Sequence, residues 1–287
     1  MTVRYLAHSL GEIEMPNLTA AGAMQAIIET ALLEMPTGVL RQALVDAFRS
    51  ERQSLLDIED AFRELTARKH APANLRRFFA SWAKTNHSAA SVAGLANRIT
   101  LLVRSNAGCA ALQKLYEVCS DLQRITDEDL GALGGVLHAD LFYIMASALC
   151  GDDEWLLKSN CLPSAHQFKD WTDQQRLRAR DLIKGLLTTL VHEVYTHAEV
   201  EFIHPLYQIW FEQHMGIEPE RVRYIVAWVT VHTNGTEKNH FGHAVNATTA
   251  FTDAMQTEIS APSARTLFTE YLRRKADVMR DCAASLH

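Results

Sequence analysis

Along nearly the whole of this 287-residue chain, apolar side chains recur at three- and four-residue intervals, and the β-branched alternation of strands is almost absent. That periodicity leaves little room for anything but α-helix, so the sequence predicts an all-α protein. Turn-forming residues divide the pattern at Pro36-Thr37-Gly38, Ala71-Pro72, Ser105-Asn106-Ala107-Gly108, Gly151-Asp152-Asp153, Cys161-Leu162-Pro163, Gly216-Ile217-Glu218-Pro219 and Ser260-Ala261-Pro262. Between them the spacing predicts eight helices, near 18–34, 38–68, 73–104, 107–124, 127–149, 173–215, 219–258 and 263–285. Thr126-Asp127-Glu128-Asp129 reads as the capped, acidic first turn of the fifth helix, and Pro219 as the start of the seventh. Residues 150–172, with Trp155 and Trp171, show little periodicity and read as a lid or binding loop. With no repeat or low-complexity tract, the chain reads as one domain over 1–287, its first 70 residues a helical extension.

Composition narrows the function classes. A net charge of −6 and a pI near 6.1 give no attraction to phosphate backbones, so nucleic acid is not an expected partner. The five cysteines are scattered, without a Cys-x-x-Cys pair, and read as reduced thiols. The first 17 residues lack the apolar core of a signal peptide, and no long charge-free apolar run suggests a membrane span; a cytoplasmic protein is expected. A homodimer is compatible with the sequence.

Seven of the thirteen histidines fall between residues 192 and 243. Within that stretch Glu-x-x-His occurs twice, as Glu201-Phe202-Ile203-His204 and Glu237-Lys238-Asn239-His240. On a helix, residues three apart share a face, so one metal ion can reach both side chains. Read as antiparallel helices joined at Gly216–Pro219, the two motifs fall at similar depth, since each residue advances about 1.5 Å. The apolar residues around the first motif, among them Phe202, Ile203, Leu206 and Trp210, predict burial, and buried charge demands a partner or a metal. The bland alternative is a set of Glu–His pairs on solvated helix faces. Glu193 and His197 continue the Glu201 face toward the N-terminus as residues that orient ligands or touch substrate, or as a plain polar seam, and His243 is a spare candidate ligand. His166, His192 and His214 read as solvent-facing or helix-capping.

The segments VEFIHPLYQIWFEQHMGI and HTNGTEKNHFGHA, with LHADLFYIMASALCG before them, resemble the haem-oxygenase-like di-iron oxidases and oxygenases. The likeness spans roughly 73–285. It implies a haem-oxygenase-like bundle of seven to nine helices. It also implies two Fe(2+) ions per chain held by Glu117, His138, Glu201, His232, Glu237 and His240, with Glu193, His197 and His204 as substrate or outer contacts. Two features depart from the family pattern. His232 stands one residue too far from Glu237, which a π-bulge near Gly235 would correct. Glu117 is far from His138, and Asp121 or Glu128 is an alternative. The implied activity is an iron- and O2-dependent oxidoreductase acting on a small substrate, a free amino acid being favoured over a fatty acid, in natural-product biosynthesis. Lys169, Arg176 and Arg180 are candidate partners for the substrate carboxylate. Other readings are a ferritin-like di-iron protein using His204 in place of His138, or a metal-free helical protein that binds a small molecule or a macromolecular partner. Metal-free relatives of the thiamin-salvage type rely on a cysteine nucleophile, and the His-rich segment contains no cysteine.

Overall fold

The computed structural model describes residues 20–106, 109–131, 135–233 and 235–287; the segment read for a signal peptide lies outside them. Among the described residues all regular structure is helical. The α-helices are α1 (Ala23–Leu33), α2 (Val39–Ser50), α3 (Arg52–Thr66), α4 (Pro72–Asn86), α5 (Ala89–Asn106), α6 (Cys109–Asp129), α7 (His138–Cys150), α8 (Pro163–Asp173), α9 (Leu182–Gln213), α10 (Pro219–Ile225), α11 (Ala227–His232), α12 (Thr236–Met255) and α13 (Ala261–Ala284).

This is more helices than the seven to nine expected, because several breaks occur without glycine or proline. The segment expected over 38–68 divides at Glu51, whose buried carboxylate accepts hydrogen bonds from Ser54 Oγ and Arg273 Nε, each at 3.0 Å. The segment expected over 73–104 divides at His87 and Ser88. The segment expected over 219–258 becomes α10, α11 and α12, the last break falling at Gly235, whose φ of +98° suits a residue without a Cβ.

The expected helix start at Thr126 is corrected. Buried Leu122 and Ile125 continue the inward stripe of α6, and the Thr126 hydroxyl donates back to the Leu122 carbonyl at 3.1 Å instead of capping a new helix. The acidic run therefore closes α6. The expected lid at 150–172 is corrected too. It folds into two 3₁₀ turns and α8, packs on α4, and is fixed by Trp155, which is buried and donates from Nε1 to Ser147 Oγ at 2.9 Å. Arg76 pairs with Asp152 and Glu154 across the same contact.

The long helix α9 is apolar on most of its circumference, as expected of a helix enclosed by others. It packs against α1, α3, α11, α12 and α13, and α12 packs between it and α6. An aromatic cluster fills the space beside it. Trp82 on α4 lies 5.2 Å from Phe142, 5.1 Å from Trp228 and 6.1 Å from Tyr207, measured between ring centroids. Helices α1 to α3 share this core and pack along α9 and α13, so residues 23–66 are integral to the bundle. No helix of the described residues is long and apolar enough to cross a membrane.

Glu59 shows how the N-terminal helices are tied in. Its fully buried carboxylate accepts the backbone N–H groups of Gly22 and Met24 at 2.9 and 2.8 Å, capping α1 from another helix, and pairs with Arg63 at 3.0 Å. Removing it strands two amide donors. Glu59→Ala is expected to cost about 2 kcal/mol or more, read as a lower midpoint in urea unfolding.

Candidate metal centre

Two groups of three potential ligands assemble in the interior. One is Asp129, His138 and His232; the other is Glu193, Glu237 and His240. Within each, one ligand atom per residue lies within 4.8 Å of the others. Five of the six residues are buried and Asp129 is half-buried.

Glu237 connects the groups. Its Oε1 faces His232 Nε2 at 3.7 Å and its Oε2 faces His240 Nδ1 at 3.8 Å, so one carboxylate presents an oxygen to each side. Glu193 Oε2 lies 3.7 Å from the same His240 nitrogen, and its Oε1 is buried without a hydrogen-bond partner. The His138 and His232 rings are 4.4 Å apart, and His138 Nδ1 sits 3.3 Å from Asp129 Oδ1.

Two of the imidazoles have their outward nitrogens fixed. His232 donates from Nδ1 to the Trp228 carbonyl at 2.6 Å, which leaves Nε2 facing Glu237. His240 donates from Nε2 to Glu128 at 2.8 Å, which leaves Nδ1 facing Glu193 and Glu237. Anchoring one ring nitrogen on a carbonyl or carboxylate sets the tautomer and aims the other at a metal.

The electrostatics are those of carboxylates and imidazoles crowded together in the interior. Burial, and then the neighbouring Glu237 charge, push Glu193 up to about 8. Burial opposes charge on His240, but contact with Glu237 and the fields of Glu193 and Asp129 lift it to about 10. Burial lowers His232, with His138 beside it adding to the effect. Asp129 is held below its ordinary value despite its burial, through His138 and the other two histidines.

A pH dependence follows. Folded Glu193 binds its proton more tightly than an unfolded glutamate near 4.5. The associated stability is present below that value and lost as pH rises through about 8. His240 acts in the same direction between 6.5 and about 10. Metal-free protein is therefore expected to melt at a lower temperature at pH 8.5 than at pH 6. A divalent metal held by these residues would displace both protons and so bind more tightly across the same interval. Parallel melts and metal titrations at the two pH values check both signs.

Of the six ligands the family resemblance implied, His138, His232, Glu237 and His240 come together. Glu117 does not: it is exposed on α6, bonded to Gln113, and Asp129 at the end of that helix takes the position nearest His138. Glu201 is half-buried on α9 and belongs to neither group; Glu193, eight residues earlier and about 12 Å back along the axis, is the α9 residue that meets Glu237. The reason is register. Residues 219–232 are taken up by α10 and α11, so Glu237 lies in the first turn of α12 and not deep in a helix paired with α9 from Gly216 onward. The break at Gly235, in place of a π-bulge, accommodates the five-residue step from His232 to Glu237.

The remaining candidates fall around this centre. His197 is half-buried with an unpartnered Nδ1, and burial lowers it while the Glu237 field opposes. His204 is half-buried, 3.4 Å from Gln208 Nε2, and belongs to neither group, so the two Glu-x-x-His motifs do not assemble as the ferritin-like alternative required. His243 is bonded to Asp121 at 2.8 Å. His192 is buried, contrary to expectation, with Nδ1 2.8 Å from the Tyr271 hydroxyl. A signal for the two unexpected members of these groups was present in the sequence. Asp129 belongs to the acidic run taken for a cap, and Glu193 to the stripe shared with His197 and Glu201.

A cavity of about 230 Å³ opens onto Asp129, His138 and His232 and is walled by Asn86, Phe142, Leu137 and Trp228. A larger groove of about 620 Å³, bordered by Trp171, Lys184, Glu258 and Glu270, touches neither ligand group.

No family model matches the sequence, and no curated protein does. Among solved structures, a TenA homolog from Pseudomonas syringae pv. tomato is similar, with a TM-score of 0.64 and 14% identity over 87% of this chain and 98% of that one. At that identity the likeness is one of helical fold.

Proposed function

We propose that the chain is a haem-oxygenase-like protein that holds two iron ions and uses dioxygen to oxidise a small substrate, a free amino acid being favoured. The observation that carries the reading is Glu237, with one carboxylate oxygen toward His232 and the other toward His240. Asp129, His138 and His232 would hold one ion, Glu193 and His240 the other, with Glu237 between them. This donor set of carboxylates and imidazoles suits iron, and manganese by the same chemistry. The fit is supported by the orphaned Glu193 oxygen and by two carboxylates buried together, with His240 between them. Bound iron would supply the redox equivalents for dioxygen chemistry.

The chain's own residues do the rest. The Trp228 carbonyl and Glu128 orient the imidazoles, and Phe142 and Trp228 give the adjoining cavity apolar walls. The cavity volume suits a small metabolite. Glu193 and His240 hold protons that a bound metal would displace.

The test is anaerobic ferrous titration of the metal-free chain, then rapid mixing with dioxygen in the presence of amino acids. About two irons per chain are expected, with a transient absorption band whose yield depends on the amino acid. Failure to take up iron, with an unchanged melting temperature, would overturn the reading and favour a metal-free helical binding protein.

A further inference from the structure

A metal site inside a folded protein needs a way in. The cavity of about 230 Å³ reaches Asp129, His138 and His232, but none of Glu193, Glu237 and His240 lines it. A separate groove of about 430 Å³, between the end of α1, the end of α6 and one face of α12, comes up to this inner group; Glu34, Glu128, Asn239, Gly242 and His243 are among its lining residues. Glu128 is the link. Its side chain is 37% exposed and accepts the hydrogen bond from His240 Nε2 at 2.8 Å, whereas the His240 side chain is 1% exposed.

The groove has the chemistry of a cation route. His243 stands one turn beyond His240 on the same face of α12, and its Nδ1 donates to Asp121 at 2.8 Å, which leaves Nε2 for a metal, as Trp228 does for His232. Among the charged lining residues, Glu34 and Glu128 stand against Lys238, an excess that draws cations. Gly242 lies inside α12, where glycine lowers stability relative to alanine. Its backbone is not left-handed, and a Cβ there would meet no neighbouring atom within 4 Å, so neither a turn nor close packing requires it. What this glycine provides is open space in the groove.

We infer that this groove is the port by which a divalent cation reaches the Glu193, Glu237 and His240 group, with Glu128 and His243 as the residues that first take hold of it. The assignment rests on the metal reading proposed above. It gives the centre two mouths: the apolar-walled cavity serves Asp129, His138 and His232, and the groove serves the inner group. Passage requires Glu128 to release His240 Nε2 and to take it up again behind the ion. Entry is therefore a step that can be slowed without altering the finished site.

Rapid mixing of the metal-free, full-length chain with cobalt(II), whose absorption reports imidazole and carboxylate ligation, tests this. Uptake should show two phases, and the phase lost in Glu193→Gln belongs to the inner group. Gly242→Leu fills the groove without replacing a ligand, so the melting temperature should be unchanged or raised. That phase should slow roughly tenfold or more, because entry then waits on a fluctuation of the helices. Release of the same ion to excess chelator should slow by the same factor, while the stoichiometry, the affinity and the other phase stay as they were. Asn246→Trp, at a second and exposed lining position, should act likewise. A blocked route slows both directions alike, whereas a distorted site changes affinity. Unchanged uptake and release in both variants, or lost affinity in place of slower exchange, would overturn the port. If the parent chain binds no cobalt, the metal reading falls and the port with it; if it binds two ions at rates neither variant alters, the port alone falls.

Discussion

On the two-iron reading proposed above, Glu237→Ala is expected to reduce iron uptake from about two per chain to fewer than one, because both groups lose a donor in a single substitution. The loss should exceed the 10- to 100-fold weakening typical of removing a partner that only orients a ligand. Glu128→Gln provides that comparison. It leaves all six ligand side chains in place and removes the charge that holds His240 Nε2, so roughly a 10- to 100-fold loss is expected at one ion and little at the other. Glu117→Ala and Glu201→Ala should leave the iron stoichiometry unchanged, since neither residue joins the two groups. Ferrous titration with a colorimetric chelator reads all four variants. Retention of two irons by Glu237→Ala, or loss of both by Glu201→Ala, would show that the ligands are other residues.

Lys275→Met should be among the most destabilising single substitutions in the core. The ammonium is fully buried, and its removal leaves the Glu199 carboxylate in the interior with only the Tyr195 hydroxyl to face it. Breaking a buried pair from one side costs about 3–5 kcal/mol. Replacing both partners by apolar residues of similar volume is often neutral or stabilising, so Lys275→Met combined with Glu199→Leu should recover most of the loss. Urea unfolding of the single and double variants measures it. A double variant as unstable as the single one would mean that the surrounding hydrogen bonds, and not the unpaired charge, set the cost.

The helical class was legible because periodicity is a local property, and α13 and the C-terminal end of α9 lie close to their expected places. The breaks at Glu51 and His87 were not legible, because side-chain partners distant in sequence or a local turn make them, with no backbone breaker to mark the place. The same limit governed the site. His232, Glu237 and His240 lie within nine residues and could be read as a unit. Choosing Glu193 over Glu201 required knowing that α10 and α11 intervene before α12. Asp129 was hidden by an ambiguity of sign: an acidic run is favourable at the start of a helix, and here it sits at the end of one, where the helix field opposes it and nearby histidines compensate.

Four of the residues proposed to hold metal stand at helix ends. Asp129 is the last residue of α6, His138 the first of α7, His232 the last of α11 and Glu237 the second of α12. Helix ends fray, their terminal amides opening and closing far more readily than those of the interior. A cation gripped by four such ends would suppress fraying at all of them together. Amide exchange should therefore slow most at these termini on metal loading, while the middle of α9, already enclosed, exchanges as before. The ion would enter a bundle that is already folded and finish it at its loosest points.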